Sequence, residues 1–276
     1  MRSAPRGARK NTTADLSGAT EGISMPRRLG QHFLKYPEIA ARMAALAEVN
    51  SDETVLEIGP GHGALTEFLA KRAKHVIAIE KDKALVSELE GRWPNVEVIA
   101  GDAVKMDWPH FDKLASNLPY EISSPVLEKL FESRGWKIAA LMLQKEFAKR
   151  LVAKPGSKDW SRLTVLASYH ADVVLVSTVG PGAFKPPPKV ESAIVLIRPK
   201  KPPFATDDYF WETVNRLFQQ KKKTVRAAIK AAHIYDHKHG NAIALTLPEE
   251  FEKKRVVQCD LEDIKQIVNI LREHMH

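Results

Sequence analysis

Cysteine is almost absent from this 276-residue chain; Cys259 stands alone. No internal disulfide framework can form, and no paired-cysteine zinc motif exists. A reducing, cytoplasmic setting is the simplest expectation. Long apolar runs are missing too: no stretch approaches the roughly 18 residues that a membrane-spanning helix needs. Large apolar residues are nearly lacking from the first 24 positions, MRSAPRGARKNTTADLSGATEGIS. Such a segment buries too little apolar surface to offset its ordering entropy, so 1–24 is expected to be a disordered extension. Asp15 and Glu21 argue against a transit peptide, and there is no apolar signal-peptide core. Met25 opens the first organised stretch and is an alternative start. Internal repeats are absent.

What is present is ordinary for a globular protein, with 44% apolar and 28% charged residues. The length suits one large domain or two unequal ones with a sizeable core. Lys and Arg number 42 against 34 Asp and Glu, a net charge of +8. That balance favours an anionic partner such as nucleic acid. Apolar spacing predicts a helix over 37–50, then short apolar strands at 54–58, 75–80, 96–100 and 111–116. Helices are expected between them at 63–71 and 83–92, and afterwards at 123–134 and 141–152. This alternation predicts a parallel sheet covered on both faces. Residues 173–179 and 192–198 read as antiparallel edge strands around the turn-rich PGAFKPPPK. From 208 onward the pattern is helical only, so the expected division is 25–203 for the α/β domain and 204–276 for a helical domain.

The strongest local feature is Val55-Leu56-Glu57-Ile58-Gly59-Pro60-Gly61-His62-Gly63. A strand runs into a glycine-rich turn that opens a helix, where backbone can approach a ligand closely. The spacing is G-x-G-x-G rather than the dinucleotide G-x-G-x-x-G, so an NAD site is the poorer match. Glu80 ends the second strand 21 residues after Gly59, placed to accept two ribose hydroxyls. Asp102 follows the third strand, where a carboxylate can accept from an adenine amino group. Three such features at strand carboxyl ends point to an adenosine-containing ligand at one sheet edge.

The fourth strand ends in Asn117-Leu118-Pro119-Tyr120. This matches the [D/N/S]-[P/L/I]-P-[Y/F/W] signature of methyltransferases acting on exocyclic amino nitrogens. The lone pair of an adenine amino group is delocalised into the ring and is a poor nucleophile. Acceptors on its two N–H groups, the Asn117 side-chain oxygen and the carbonyl preceding Pro119, favour a pyramidal, more nucleophilic nitrogen. Tyr120 is expected to stack on the base, at about 1–3 kcal/mol. A sulfonium methyl donor leaves as a neutral thioether, so alignment matters more than a strong base.

With these motifs in hand, the sequence resembles the KsgA/Dim-type small-subunit rRNA adenine dimethyltransferases over roughly 25–230, with wording nearest to archaeal and eukaryotic members. The matching blocks, in order, are RLGQHFL at 28–34, Glu57–Gly63, Glu80, Gly101-Asp102-Ala103, Asn117–Tyr120, MLQKE at 142–146, AFKPPPKV at 183–190 and FQQKKKTVR at 218–226. The resemblance implies a Rossmann-like doubly wound methyltransferase sheet with a small C-terminal all-helical domain. It implies S-adenosyl-L-methionine-dependent dimethylation of N6 on two adjacent adenosines near the 3′ end of small-subunit rRNA during ribosome biogenesis. His32 and Leu34 then cover the methionine end of the cofactor. Gly59 and Gly61 meet its backbone-facing side, Glu80 the ribose and Asp102 the adenine, with Asn117 beside the methyl group. Phe184 matches an aromatic that flanks the flipped target base opposite Tyr120; extrusion is required because N6 is hidden in a stack. One departure is Trp160-Ser161 before Arg162-Leu163, where the family commonly has Tyr-Gly.

Residues 216–230, RLFQQKKKTVRAAIK, carry six basic residues and no acid. They read as a helix with a basic side, on which Lys221, Lys222, Lys223 and Arg226 contact RNA phosphates. Arg27 and Arg28 form a smaller patch. His233, Asp236, His237 and His239 lie in a polar segment without a second cluster to complete a tetrahedral site, so no metal is expected. The expected protein is a monomer acting on a small ribosomal subunit precursor, away from membranes. The alternatives are a large-subunit rRNA adenine dimethyltransferase, against which MLQKE and FKPPPKVESAIV speak, and a non-catalytic nucleic-acid-binding assembly or transcription factor. A DNA adenine methyltransferase more usually carries Asp-Pro-Pro-Tyr.

Overall fold

The computed structural model describes residues 31–231 and 247–273. The extension 1–24, Arg27, Arg28 and the His233–His239 group lie outside the described residues. The chain enters through a two-residue strand β1 (Phe33–Leu34) and helix α1 (Pro37–Leu46). It then alternates β2 (Thr54–Ile58), α2 (Thr66–Ala70), β3 (His75–Glu80), α3 (Lys83–Leu89) and β4 (Val96–Ala100). Next come β5 (Lys113–Asn117), α4 (Ser123–Glu132), β6 (Ile138–Gln144), α5 (Lys145–Leu151) and α6 (Arg162–His170). Strands β7 (Ala171–Val179), β8 (Phe184–Lys185) and β9 (Ser192–Pro199) follow.

Seven strands form one sheet in the order β4-β3-β2-β5-β6-β9-β7, and β1 pairs with β8 in a separate ribbon. Strands β2 to β6 run parallel, while β9 is antiparallel to both β6 and β7. Alternate residues feed the two faces. Val55, Val76, Ala115 and Ala140 pack with Met43 of α1 and Leu69 of α2. Leu56, Ile77, Leu114 and Ala139 pack with Val126 and Leu130 of α4. The chain leaves β2 toward β3 and β4, then returns to β5 on the other side of β2. That reversal opens a crevice at the carboxyl ends of β2 and β5, where doubly wound sheets bind ligands.

Three expectations are corrected. The helix over 141–152 is two elements, because Leu141–Gln144 belong to β6. IAALMLQ is apolar on both sides, and a short fully buried run reads equally well as strand or helix; pairing with β5 and β9 decides it. Of the two expected edge strands only β7 is at the edge, since β9 lies between β6 and β7. The basic run at 216–230 is not one helix. Helix α7 (Asp208–Gln219) stops, Lys221–Lys223 form a turn, and α8 (Val225–Ala231) starts after Thr224, whose hydroxyl accepts from Ala227 N–H at 3.3 Å.

The C-terminal helices, including Glu249–Lys253 and Leu261–Glu273, share a core of Phe210, Leu217, Phe251, Ile264 and Leu271 with Trp160 and Val165. Trp160, the departure noted above, donates its indole N–H to the Cys259 carbonyl at 3.0 Å. It thereby fastens the 153–161 loop to the tail. Among the described residues no helix is long and apolar enough to cross a membrane. Cys259 is 1% exposed, and burial pushes its thiol up to about 12. A thiol reagent at pH 8 is therefore expected to leave the native protein unmodified and to label it fully in denaturant. Rapid stoichiometric labelling of the folded protein would contradict this packing.

Candidate active site

The crevice between β2 and β5 is a cleft open to solvent on one side. Its floor is the turn after β2. Gly59, Gly61 and Gly63 have φ of +69°, +60° and +82°, in the left-handed region that favours glycine. A Cβ on Gly61 would sit 2.8 Å from the Phe33 ring, and one on Gly59 would sit 3.2 Å from Pro119. The glycines therefore let the loop lie directly beneath β1 and against the turn after β5. Phe33 also meets His62, with ring centroids 4.4 Å apart.

Glu80, buried at the end of β3, holds this loop. Its carboxylate accepts the Gly61 N–H at 3.2 Å and the Asp82 N–H at 2.9 Å. Asn117 ends β5 and donates its amide N–H to the His32 carbonyl at 3.0 Å. A carbonyl can only accept, so the amide NH2 must face His32 and Oδ1 is turned the other way. Among the described residues Oδ1 accepts no hydrogen bond. Leu118 N–H donates to the Met142 carbonyl at 3.3 Å, which ties the Asn117–Leu118 peptide to β6, one peptide before the carbonyl that precedes Pro119. The Tyr120 hydroxyl shares a 2.7 Å hydrogen bond with the Ser192 hydroxyl, anchoring a half-buried ring 5.5 Å from that of His32. Burial raises the Tyr120 phenol above its usual value, with the Ser192 bond opposing.

The sequence-predicted residues divide by position. His32, Leu34, Gly59, Gly61 and Glu80 line the cleft, together with the whole of Asn117-Leu118-Pro119-Tyr120. Asp102 stands outside the lining, at the end of β4. It is held by Lys81 at 3.0 Å and by the Val104 N–H at 3.1 Å, and the Lys81 bond, against burial, keeps its carboxyl below the usual range. Phe184 is also outside it: the ring is 3% exposed beneath the β1–β8 ribbon, where its backbone pairs with Leu34. Of the basic residues, Lys221 donates to the Lys158 and Trp160 carbonyls, both at 2.9 Å, and Arg226 pairs with Glu252 at 2.8 Å. Lys222 and Lys223 are exposed.

Sequence reasoning passed over Glu57, Phe33 and Ser192. Glu57 had a signal, since an acid between Leu56 and Ile58 interrupts an apolar strand. The pairing of Tyr120 with Ser192, 72 positions away, had none. Among the described residues no group of three or more His, Cys, Asp or Glu is placed to hold a metal ion.

The cleft suits S-adenosyl-L-methionine on its own chemistry. Its lining holds two carboxyl groups, Glu57 and Glu80, and no lysine or arginine among the described residues. That donor set disfavours a phosphorylated dinucleotide and favours a ligand bearing hydroxyls and positive charge.

The family model described as "Ribosomal RNA adenine dimethylase" matches residues 23–273. A relative from Thermococcus kodakarensis, named as a probable ribosomal RNA small subunit methyltransferase A, is 47% identical over 90% of this chain and 90% of its own length. Among solved structures, a dimethyladenosine transferase from Plasmodium falciparum is 35% identical, covers 88% of this chain and 98% of its own, and superposes with a TM-score of 0.77. The 23S rRNA methyltransferase ErmE is 29% identical, with a TM-score of 0.63 over 87% of this chain and 99% of its own. A match of this extent, over the sheet, the cleft and the helical tail together, means that the chain belongs to the ribosomal RNA adenine dimethylase family.

Proposed function

We propose that this protein dimethylates N6 of two adjacent adenosines near the 3′ end of small-subunit rRNA, using S-adenosyl-L-methionine, during ribosome assembly in the cytoplasm. The single observation that carries the chemistry is the fixed amide of Asn117. Its NH2 is spent on the His32 carbonyl, leaving Oδ1 as an acceptor for the target amino group. The small-subunit target rests on relatives: 47% identity to a protein named for that subunit exceeds 29% to a 23S enzyme.

In this reading the bound cofactor supplies an electrophilic methyl group. Glu80 accepts the ribose hydroxyls while holding the glycine loop in place. Asp102 accepts from the cofactor adenine once Lys81 swings aside. His32 and Leu34 close over the methionine end. Tyr120 stacks on the extruded base, anchored through Ser192. Phe184 serves as the opposite wall only if the β1–β8 ribbon shifts to uncover it. Asn117 Oδ1 and the carbonyl before Pro119 accept from N6, concentrating its lone pair toward the methyl group. Residues from 204 onward dock the RNA, with Lys222 and Lys223 offering the phosphate contacts; Arg27 and Arg28 are further basic residues for RNA phosphates. The protein works as a monomer without a metal.

Small ribosomal subunits from cells lacking the modification test the reading. Incubation with the protein and S-adenosyl-L-methionine, followed by nucleoside mass spectrometry, is expected to yield dimethyladenosine at two neighbouring small-subunit positions. Product confined to large-subunit rRNA, or none despite cofactor binding, would overturn it.

A further inference from the structure

The cleft floor contains a buried acid that the proposed methyl transfer does not use. Glu57, on β2, is 1% exposed, and the Thr66 hydroxyl of α2 donates to its Oε2 at 2.7 Å. Glu80 on β3 is the neighbouring carboxylate, already accepting two backbone N–H groups. The other titratable groups lining the cleft are His62, whose ring nitrogen is engaged by Glu88 at 2.9 Å, His32 before β1, and the Tyr120 phenol, which burial raises further above the neutral range. From β5 come only Ser116 and Asn117, neither of them titratable. The nearby cations are Lys81, engaged by Asp102 at 3.0 Å, and Arg92, which donates to the His62 carbonyl at 3.0 Å and faces Glu88 at 3.9 Å.

Two carboxyl groups on adjacent strand ends, without a lysine or arginine among the described lining residues, do not both ionise readily in a poorly solvated site. Burial pushes the Glu57 carboxyl up to about 8, with the Thr66 hydrogen bond opposing and the Glu80 charge adding.

Resting on the cofactor reading above, we propose that Glu57 makes the cleft prefer the positively charged methyl donor over the uncharged thioether product. Glu57 holds a proton in the ligand-free protein. Arrival of a sulfonium stabilises its charged form, so one proton leaves to solvent. Once the methyl group has gone, that positive charge is gone too, and a proton returns from solvent. The carboxylate that attracted the donor is thereby neutralised when the product must leave. Donor affinity accordingly rises with pH toward about 8, by at most about tenfold per unit. Product affinity does not follow.

Isothermal titration calorimetry of the whole protein at pH 7, in two buffers of different ionisation enthalpy, counts the protons released. The ligands are S-adenosyl-L-methionine and S-adenosyl-L-homocysteine; both carry an α-amino group that is mostly protonated at pH 7, so its own titration adds only a small fraction of a proton to the difference. The donor is expected to release close to one proton more than the product. In Glu57→Gln that difference is expected to vanish, and the donor-to-product affinity ratio to fall about tenfold. Equal proton counts in the unaltered protein, or a difference that survives in Glu57→Gln, would overturn the proposal. Failure of the donor to bind would instead overturn the cofactor reading.

Foldedness of the variant is read from melting curves. A carboxyl raised in the folded state costs stability as pH climbs from its unfolded value toward 8. Glu57→Gln is therefore expected to melt above the unaltered protein at pH 8, with the gap closing near pH 5. If that variant does not fold, infrared difference spectra of the unaltered protein decide. A protonated carboxyl band lost on donor binding and retained on product binding supports the assignment; a band unchanged by both refutes it.

Discussion

Replacing Asn117 by alanine is expected to slow methyl transfer by about 100- to 1,000-fold, the usual effect of deleting one preorganised hydrogen-bonding group at a reacting centre. RNA binding should stay within a few-fold, because the RNA-docking surface proposed above is contributed by other elements. The loss has two components. Alanine removes the Oδ1 acceptor for N6, and it also frees the His32 carbonyl, which the Asn117 amide now holds at 3.0 Å. Asn117→Asp separates them, since it keeps an acceptor but turns a carboxylate toward that carbonyl. An aspartate variant retaining much of the rate would assign the effect to the acceptor; one as slow as alanine would assign it to the tether. Single-turnover rates and filter-binding constants on the same ribosomal subunits provide the measurement. Equal collapse of binding and rate would remove Asn117 from the chemistry.

The second large effect lies at the opposite end of the sheet and concerns stability. Before β2, Glu53 is buried and faces Lys113 at 3.6 Å and Lys137 at 2.9 Å. Lys113, at the start of β5, is itself buried and donates to the Glu48 carbonyl at 3.2 Å. Glu53→Ala leaves that ammonium without its carboxylate, and removing one member of a buried pair costs about 3–5 kcal/mol. A matching fall in the urea midpoint is expected. Glu53→Ala combined with Lys113→Met should cost less than Glu53→Ala alone, because no uncompensated charge remains. A double variant as unstable as the sum of both would refute this account. The pH dependence has a definite sign. Burial alone would raise the Glu53 carboxyl, yet the Lys137 bond, the Asn50 N–H and the Lys113 charge hold it below its usual value. Its contribution is therefore present above the unfolded value of ~4.3, and is lost as pH falls through the folded one.

Both predictions turn on residues that the sequence exposes unequally. Asn117 is legible because its neighbours are: a strand, a proline and an aromatic fix where its amide stands, and the required chemistry explains each of them. Glu53 and Lys113 are 60 positions apart, and nothing local marks either as buried. The basic run at 221–223 illustrates the converse. Composition alone marks it as an RNA surface, yet Lys221 is spent on two carbonyls and Arg226 on Glu252.

By itself the sequence determined the parallel strands at 54–58, 75–80 and 96–100, the glycine turn, and the acids and amide at the strand ends. These are local matters: apolar runs of strand length, left-handed turns that favour glycine, and polar residues where strands meet solvent. Tertiary structure alone decided that IAALMLQ is a strand, that β9 is interior, that Tyr120 leans on Ser192, and that Phe184 lies beneath the ribbon. Each of these depends on partners distant in the chain. A short apolar segment buried on both faces takes the conformation that its neighbours' free N–H and C=O groups offer, and no window of sequence records those neighbours.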